Sequence, residues 1–274
     1  MPKFSCSRLS INSFFALLTL VPVIAYGSQE GAPNDQSATE VQNISNCPSK
    51  TSSQIGGTLQ GKILNLKGIV SNLPAAENAP VDSFNNPFAI TTDGTNLYVA
   101  DRSSNTIRKI AISSGAITTL AGAASVAGNA NGTGTAATFE SPTGITTDGT
   151  YVFVTDTDNH TIRKIAIDSG LVTTLAGTPG VNGNVDATGA AASFDSPTGI
   201  TTDGTHLFVA DSHNHSVRKI AIATGEVTTL AGNTEAGDMD GVGTAASFDR
   251  PSGIATDGKN LYVTDQRNHN IRKI

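Results

Sequence analysis

Three of the chain's five histidines recur at a nearly constant interval. His160, His215 and His269 each stand directly after an asparagine. Asn105 occupies the same position one interval upstream of His160, and His213 lies just before the Asn214–His215 pair. Imidazoles are common zinc ligands, but a zinc site needs its nitrogens about 2.0–2.1 Å from one ion. Arg102, Ser103, Asp158 and Arg267 sit in the same short segments and add charge or a hydroxyl for binding a polar ligand. "DMDG", Asp238 to Gly241, resembles part of a calcium loop but lacks the third acid and the distal glutamate. The chain has no G-x-S-x-G elbow, no Cys–His pair and no phosphate-binding glycine loop.

The elements that carry these residues recur as a unit. Pro87, Pro142, Pro197 and Pro251 are evenly spaced to within one position, and Asp101, Asp156, Asp211 and Asp265 keep that spacing. Such a period marks a repeat architecture. Within one unit, "PTGITTD" is a short β-branched run ending in a D-G turn signal, and "YVFVTD" alternates large and small residues. "HTIRKIAI" and "LVTTLAG" follow, separated by "DSG". These runs predict four short antiparallel strands with tight turns. A sheet apolar on both faces must be sandwiched, and radial stacking of such sheets gives a β-propeller. A β-sandwich would not require near-identical four-strand units.

The pattern F-x-x-P-x-G-I … D-G … L-Y-V-A-D-x-x-N-H-x-I-R-K-I … G-x-V-T-T-L-A-G resembles the NHL repeat over residues 84–274, the greater part of the chain. The resemblance implies a propeller, usually of six blades, where this chain has four copies. It does not imply one activity: members serve as binding scaffolds, sensor domains, RNA-binding domains and a metal-dependent lyase. The expected fold class is therefore all-β, a propeller of four four-stranded blades. "GKILNLKG", Gly61 to Gly68, matches "GEVTTLAG" and reads as a spare fourth strand, while the last copy stops after its third. Completion of the last blade by that strand is expected, with a fragment of a larger propeller as the alternative.

Composition bounds the setting. Charged residues are 15% of the chain, glycine numbers 28 and tryptophan is absent. Lys3, Arg8 and the apolar run Phe14 to Ala25, followed by small residues, read as a secretory signal peptide over residues 1–27. Its removal takes two cations and no acid, so the net charge of −6 becomes −8. A net-acidic chain without a basic cluster is a poor nucleic-acid binder. Residues 28–60 are polar, aperiodic and read as a flexible linker, with Cys47 the one cysteine after the signal. Residues 61–274 form the propeller, and no membrane span is expected after signal cleavage.

Residues identical in every copy are most simply scaffold. Phe84, Phe139, Phe194 and Phe248 share one position, and Phe153 and Phe208 share another with Tyr98 and Tyr262. Arg108, Arg163, Arg218 and Arg272 recur like the strand-end aspartates and suggest turn-capping and ion pairing within or between blades. Asp93, Asp148, Asp203 and Asp257 precede glycine and read as turn residues. In a four-strand meander the strand 2–3 turns and the long 4–1 loops lie at one end. Arg102, Asp158, His160, His213, His215, Arg267 and His269 therefore form the candidate ligand face. Sheets pack about 10 Å apart, so equivalent histidines on neighbouring blades are too distant to share an ion. No metal and no other cofactor is expected, and these histidines should bond to backbone. The innermost strands offer hydroxyls but no carboxylate or histidine for catalysis. The reading is a secreted or periplasmic binding scaffold without catalysis, its partner a protein or a cell-envelope ligand. A metal-dependent propeller lyase or hydrolase is the alternative.

Overall fold

The computed structural model describes residues 84–274. The signal peptide, the linker and the spare strand at residues 61–68 lie outside the described residues.

The first blade is β1 (Pro87–Thr92), β2 (Asn96–Asp101), β3 (Thr106–Ala111) and β4 (Ile117–Ala121), antiparallel and paired in chain order. A short strand, β5 (Gly132–Thr133), lies in the connection to the second blade. That blade is β6 (Pro142–Thr147), β7 (Tyr151–Asp156), β8 (Thr161–Ala166) and β9 (Leu171–Ala176), with β5 added along β9. The third is β10 (Pro197–Thr202), β11 (His206–Asp211), β12 (Ser216–Ala221) and β13 (Val227–Ala231). The fourth has three strands: β14 (Pro251–Thr256), β15 (Leu261–Asp265) and β16 (Asn270–Lys273). These four small sheets are arranged as a β-propeller, as the repeat predicted.

Local chemistry fixes each turn. Between β6 and β7 the Asp148 carboxylate accepts from the Thr150 and Tyr151 amides at 2.9 and 2.7 Å, while Gly149 takes φ +87°. Asp93, Asp203 and Asp257 repeat the arrangement. Between the second and third strands the chain makes one 3-10 turn that ends on a left-handed residue: Asn105, His160, His215 or His269. Asparagine tolerates that conformation and histidine visits it several-fold more often than most residues, which explains the residue types at this position.

The blades join through three apolar interfaces. Tyr98, Ile107 and Leu120 of the first blade pack on Phe139, Ile145 and Val154 of the second. Phe153 and Ile162 meet Phe194, Ile200 and Val209, and Val217 and Ala231 meet Phe248, Ile254 and Val263. Each fully buried side chain of this size contributes about 1.5–3 kcal/mol. The buried aromatic residues of the repeat, Tyr98, Phe139, Phe153, Phe194 and Phe248, are thus spent between blades. The inner strands approach so closely that a Cβ on Gly144 would collide with the Thr198 carbonyl, and one on Gly199 with that of Ser252. Glycine is required there for contact rather than for φ.

Candidate functional site

The strand-end aspartates and the arginines are structural, as their recurrence predicted. Arg163 is fully buried and lies over the Phe139 ring at 5.0 Å. Its Nη1 donates to Asp156 at 2.7 Å and to the Thr138 carbonyl, and its Nη2 to the Ala130 carbonyl and the Asn131 side chain. Arg218 repeats this with Asp211 and Asp186, and Arg272 with Asp265 and Asp240. Each guanidinium therefore staples the long inter-blade loop to the strand end. Asp240 of "DMDG" is the loop residue held in this way. Burial pushes the Asp156 and Asp211 carboxyls up to about 6, against the pull of the arginine charges and of the donors around them. Asp203 runs the other way: the amides and hydroxyl that it caps outweigh partial burial and hold it down at about 2.

The signature asparagines are scaffold too. Asn159, Asn214 and Asn268 donate from Nδ2 to the carbonyls of Gly128, Gly183 and Gly237, all at 2.7 Å. These bonds tie the strand 2–3 turns of the last three blades to the long loops before them, so these turns and loops do share one face. The residues that follow them link one blade to the next. Asn105 Oδ1 accepts from the Ser141 amide at 2.9 Å, His160 Nδ1 from Ser196 at 3.0 Å and His215 Nδ1 from Arg250 at 3.2 Å. Of the turn histidines, His160 and His215 bond to backbone, as expected. A ring nitrogen that accepts an amide hydrogen carries no proton of its own, so these Nδ1 atoms are not the cationic partners of nearby acids.

The candidate face residues therefore divide. His160 and His215 are half-buried and engaged in these links. Asp158, His213, Arg267 and His269 are exposed. Arg102 is half-buried, its guanidinium 5.6 Å from the centre of the exposed Phe88 ring. The face also gathers residues that sequence reasoning missed. Asp195 Oδ1 lies 3.4 Å from His213 Nδ1 and 3.7 Å from His160 Nδ1, so two histidines from two blades converge on one carboxylate. Asp249 Oδ1 stands 3.5 Å from His215 Nδ1 in the same relation. A signal was present: Glu140, Asp195 and Asp249 share one repeat position shortly before the strand proline, with Asn85 in the first copy. Among the described residues no group of three or more His, Cys, Asp or Glu side chains is arranged to hold a metal ion.

Four meander blades, the last three each closed by an Asp–Arg staple and the first three each linked to the next through Asn105, His160 or His215, define a repeat propeller. The chain carries NHL repeats: the family model described as "NHL repeat" matches residues 194–220 and 248–274. It is similar to NHL repeat-containing protein 2 of Bos taurus, 35% identical over 149 residues, which are 49% of this chain and 20% of that protein. Among solved structures it resembles a structural genomics protein of Bacteroides thetaiotaomicron VPI-5482, with TM-score 0.56 and 22% identity over 68% of this chain and 47% of that one. It also resembles an auxiliary nutrient binding protein of Bacteroides ovatus ATCC 8483, with TM-score 0.53 and 22% identity over 70% and 49%. The chain thus spans about a fifth of that curated relative and about half of these propellers. At such identity the structural likeness shows the fold alone.

Proposed function

We propose that this chain is a secreted or periplasmic binding scaffold that engages a protein or other cell-envelope ligand through its loop-bearing face and performs no chemistry. The observation that carries the reading is the division of labour among the polar groups. Those near the axis are used to join blades: Thr155 Oγ1 donates to the Thr198 carbonyl, Thr157 Oγ1 to Pro197 and Thr198 Oγ1 to Ser252. Asp158, His213 and Arg267, from three successive blades, are exposed in the strand 2–3 turns and join no blades, His213 only approaching the Asp195 carboxylate. The nutrient-binding description of the Bacteroides ovatus propeller is in keeping with a binding role. The basic and apolar leader supports export, and the acidic balance argues for a partner other than nucleic acid.

The test immobilises the exported chain and a variant carrying Asp158→Ala, His213→Ala and Arg267→Ala, and exposes both to the native extracellular fraction. Retention of one component by the parent chain, at least about tenfold weaker on the variant, is expected. Equal retention by both removes the loop face from the account. Elemental analysis showing one tightly held metal per chain, lost with His213→Ala, replaces it with the metalloenzyme reading.

A further inference from the structure

A polar cavity of about 530 Å³ opens at the third blade, between the loops on either side of it. Its walls include Asn184 and Asp186 from the loop before the blade, Ser216 at the start of β12, and Asn233, Thr234 and Thr244 from the loop after β13. The volume falls within the range of small-molecule sites, about 300–1,000 Å³. The repeat shows why the space is here. From the glycine that ends the fourth strand to the next proline, the loop after β13 is one residue shorter than its two counterparts. Ala123-Ala124-Ser125 and Thr178-Pro179-Gly180 give way to Asn233-Thr234. Ser125 and Gly180 have left-handed φ values of +61° and +75°, and Thr234 takes that conformation at +72°. A β-branched residue is strained there. In the loop after β9, Thr178 Oγ1 bridges the two ends by donating to the Ala190 carbonyl at 2.6 Å. Asn233 makes no such bond; its Oδ1 accepts from the Glu235 amide at 3.1 Å instead.

Ser216 is the buried wall of this cavity, 2% exposed. Thr106 and Thr161 hold the same repeat position, and their hydroxyls are sealed in without a partner. Serine lacks the threonine methyl, and in the third blade this position meets the cavity instead. Among the described residues the Ser216 hydroxyl forms no hydrogen bond, nor do the side chains of Asn184 and Thr244. Asp186 is held in place: Oδ1 accepts from Arg218 Nη2 at 2.6 Å and Thr229 Oγ1 at 3.1 Å, and Oδ2 from the Thr229 amide at 2.9 Å. The walls thus offer amides and hydroxyls that both donate and accept, and one carboxylate whose charge Arg218 already offsets. They include no aromatic or large aliphatic side chain. An anion finds no free cation there, and a hard cation, which gathers several carboxylate and carbonyl oxygens, finds a single carboxylate. An apolar ligand finds nothing to bury against. An uncharged molecule rich in hydroxyl groups matches the walls group for group. A buried polar group without a partner is costly, so a ligand hydroxyl at Ser216 supplies a bond that the chain itself leaves unmade.

We propose that this cavity binds a neutral mono- or disaccharide, held by Asn184, Ser216, Asn233 and Thr244, with Asp186 accepting from a sugar hydroxyl. Each asparagine amide carries an acceptor oxygen and a donor nitrogen and so pairs with two neighbouring hydroxyls of a sugar ring. The cavity is lined where the third copy of the repeat departs from the second: Asp186 stands for Asn131, Ser216 for Thr161 and Thr244 for Ala190. The site lies in the blade that carries His213 but uses none of the exposed turn residues assigned to a larger partner, and it does not depend on that reading.

Nuclear magnetic resonance titration of the exported chain with glucose, galactose, N-acetylglucosamine, maltose and cellobiose tests it. Saturable shifts of the Ser216, Asn233 and Thr244 amides with at least one of these sugars, at concentrations up to about 50 mM, are expected. Ser216→Thr places a methyl in the cavity, and Asn233→Ala removes an amide from its wall. Thr161 and Ala123 hold these positions in other blades, so both variants keep the fold. Each should weaken binding at least about tenfold. The chain carrying Asp158→Ala, His213→Ala and Arg267→Ala should bind the sugars as the parent does. No saturable shift with any of the sugars overturns the proposal. So does binding that both cavity variants retain in full, or that the loop-face variant loses. Stronger shifts of the same amides with inorganic phosphate or calcium chloride overturn the neutral ligand class.

Discussion

The second and fourth blades are written in nearly the same residues and live in different surroundings. Arg163 and Arg272 occupy one repeat position, each donates from Nη1 to its strand-end aspartate and each lies over its phenylalanine. Yet the Arg163 side chain is fully buried between two neighbours, while that of Arg272 stays partly open beside the uncovered edge. The difference separates what a blade encodes from what it borrows. Turn caps and the Asp–Arg staple form within a blade and its preceding loop. Full burial, and the energy that comes with it, needs a blade on the far side.

The largest effect should come from breaking the staple where it is covered. Arg163→Met leaves the Asp156 carboxyl buried without its cation, which costs about 3–5 kcal/mol. Arg272→Met also strands a buried carboxyl, that of Asp265, but its own side chain is partly open, so water can reach the vacated site and the loss should be smaller. Urea unfolding of both variants checks the ratio. Equal losses would mean that burial by a neighbouring blade is not what sets the strength of the staple.

Acid titration sharpens the contrast between the two sets of aspartates. Asp156 and Asp211 sit at about 6 in the folded chain, above the ordinary carboxylate value of 3.8. The folded chain therefore binds these protons more tightly than the unfolded one, and stability should rise as pH falls from about 6 to 4. Asp203 is held at about 2 by the turn that it caps. Its contribution is present above the unfolded value and should be lost as pH falls from about 4 to 2. Carboxyl carbon shifts followed by NMR would show two aspartates titrating near 6 and one near 2. All three near 4 would contradict the burial and capping described here.

Much of the fold was legible because the repeat is almost literal. The four runs in Ser141–Gly177 became β6 to β9 with only small shifts at their ends, since D-G and S-G turn signals bracket each strand. The scaffold roles of the arginines and strand-end aspartates were legible for the same reason: a residue used once per blade cannot easily serve a single site. The candidate face was legible only as a set of loops. That His160 and His215 reach across to the next blade was foreseen as backbone bonding, but their partners Ser196 and Arg250 lie far along the chain, beyond any local pattern. Asp195 was missed because nothing beside it in the chain marks it as a partner of the turn histidines. Only the packing of neighbouring blades brings it beside His213 and His160.

The central claim is that recurring positions hold the blades together and the irregular ones face a ligand. His160 and His213 test it most directly, since both approach Asp195 and both sit in a strand 2–3 turn. Thermal unfolding of His160→Ala should show a loss of about 1–2 kcal/mol, because the Ser196 amide between the blades loses its acceptor. His213→Ala should stay within about 0.5 kcal/mol of the parent chain. A destabilised His213→Ala beside an unchanged His160→Ala would contradict the account.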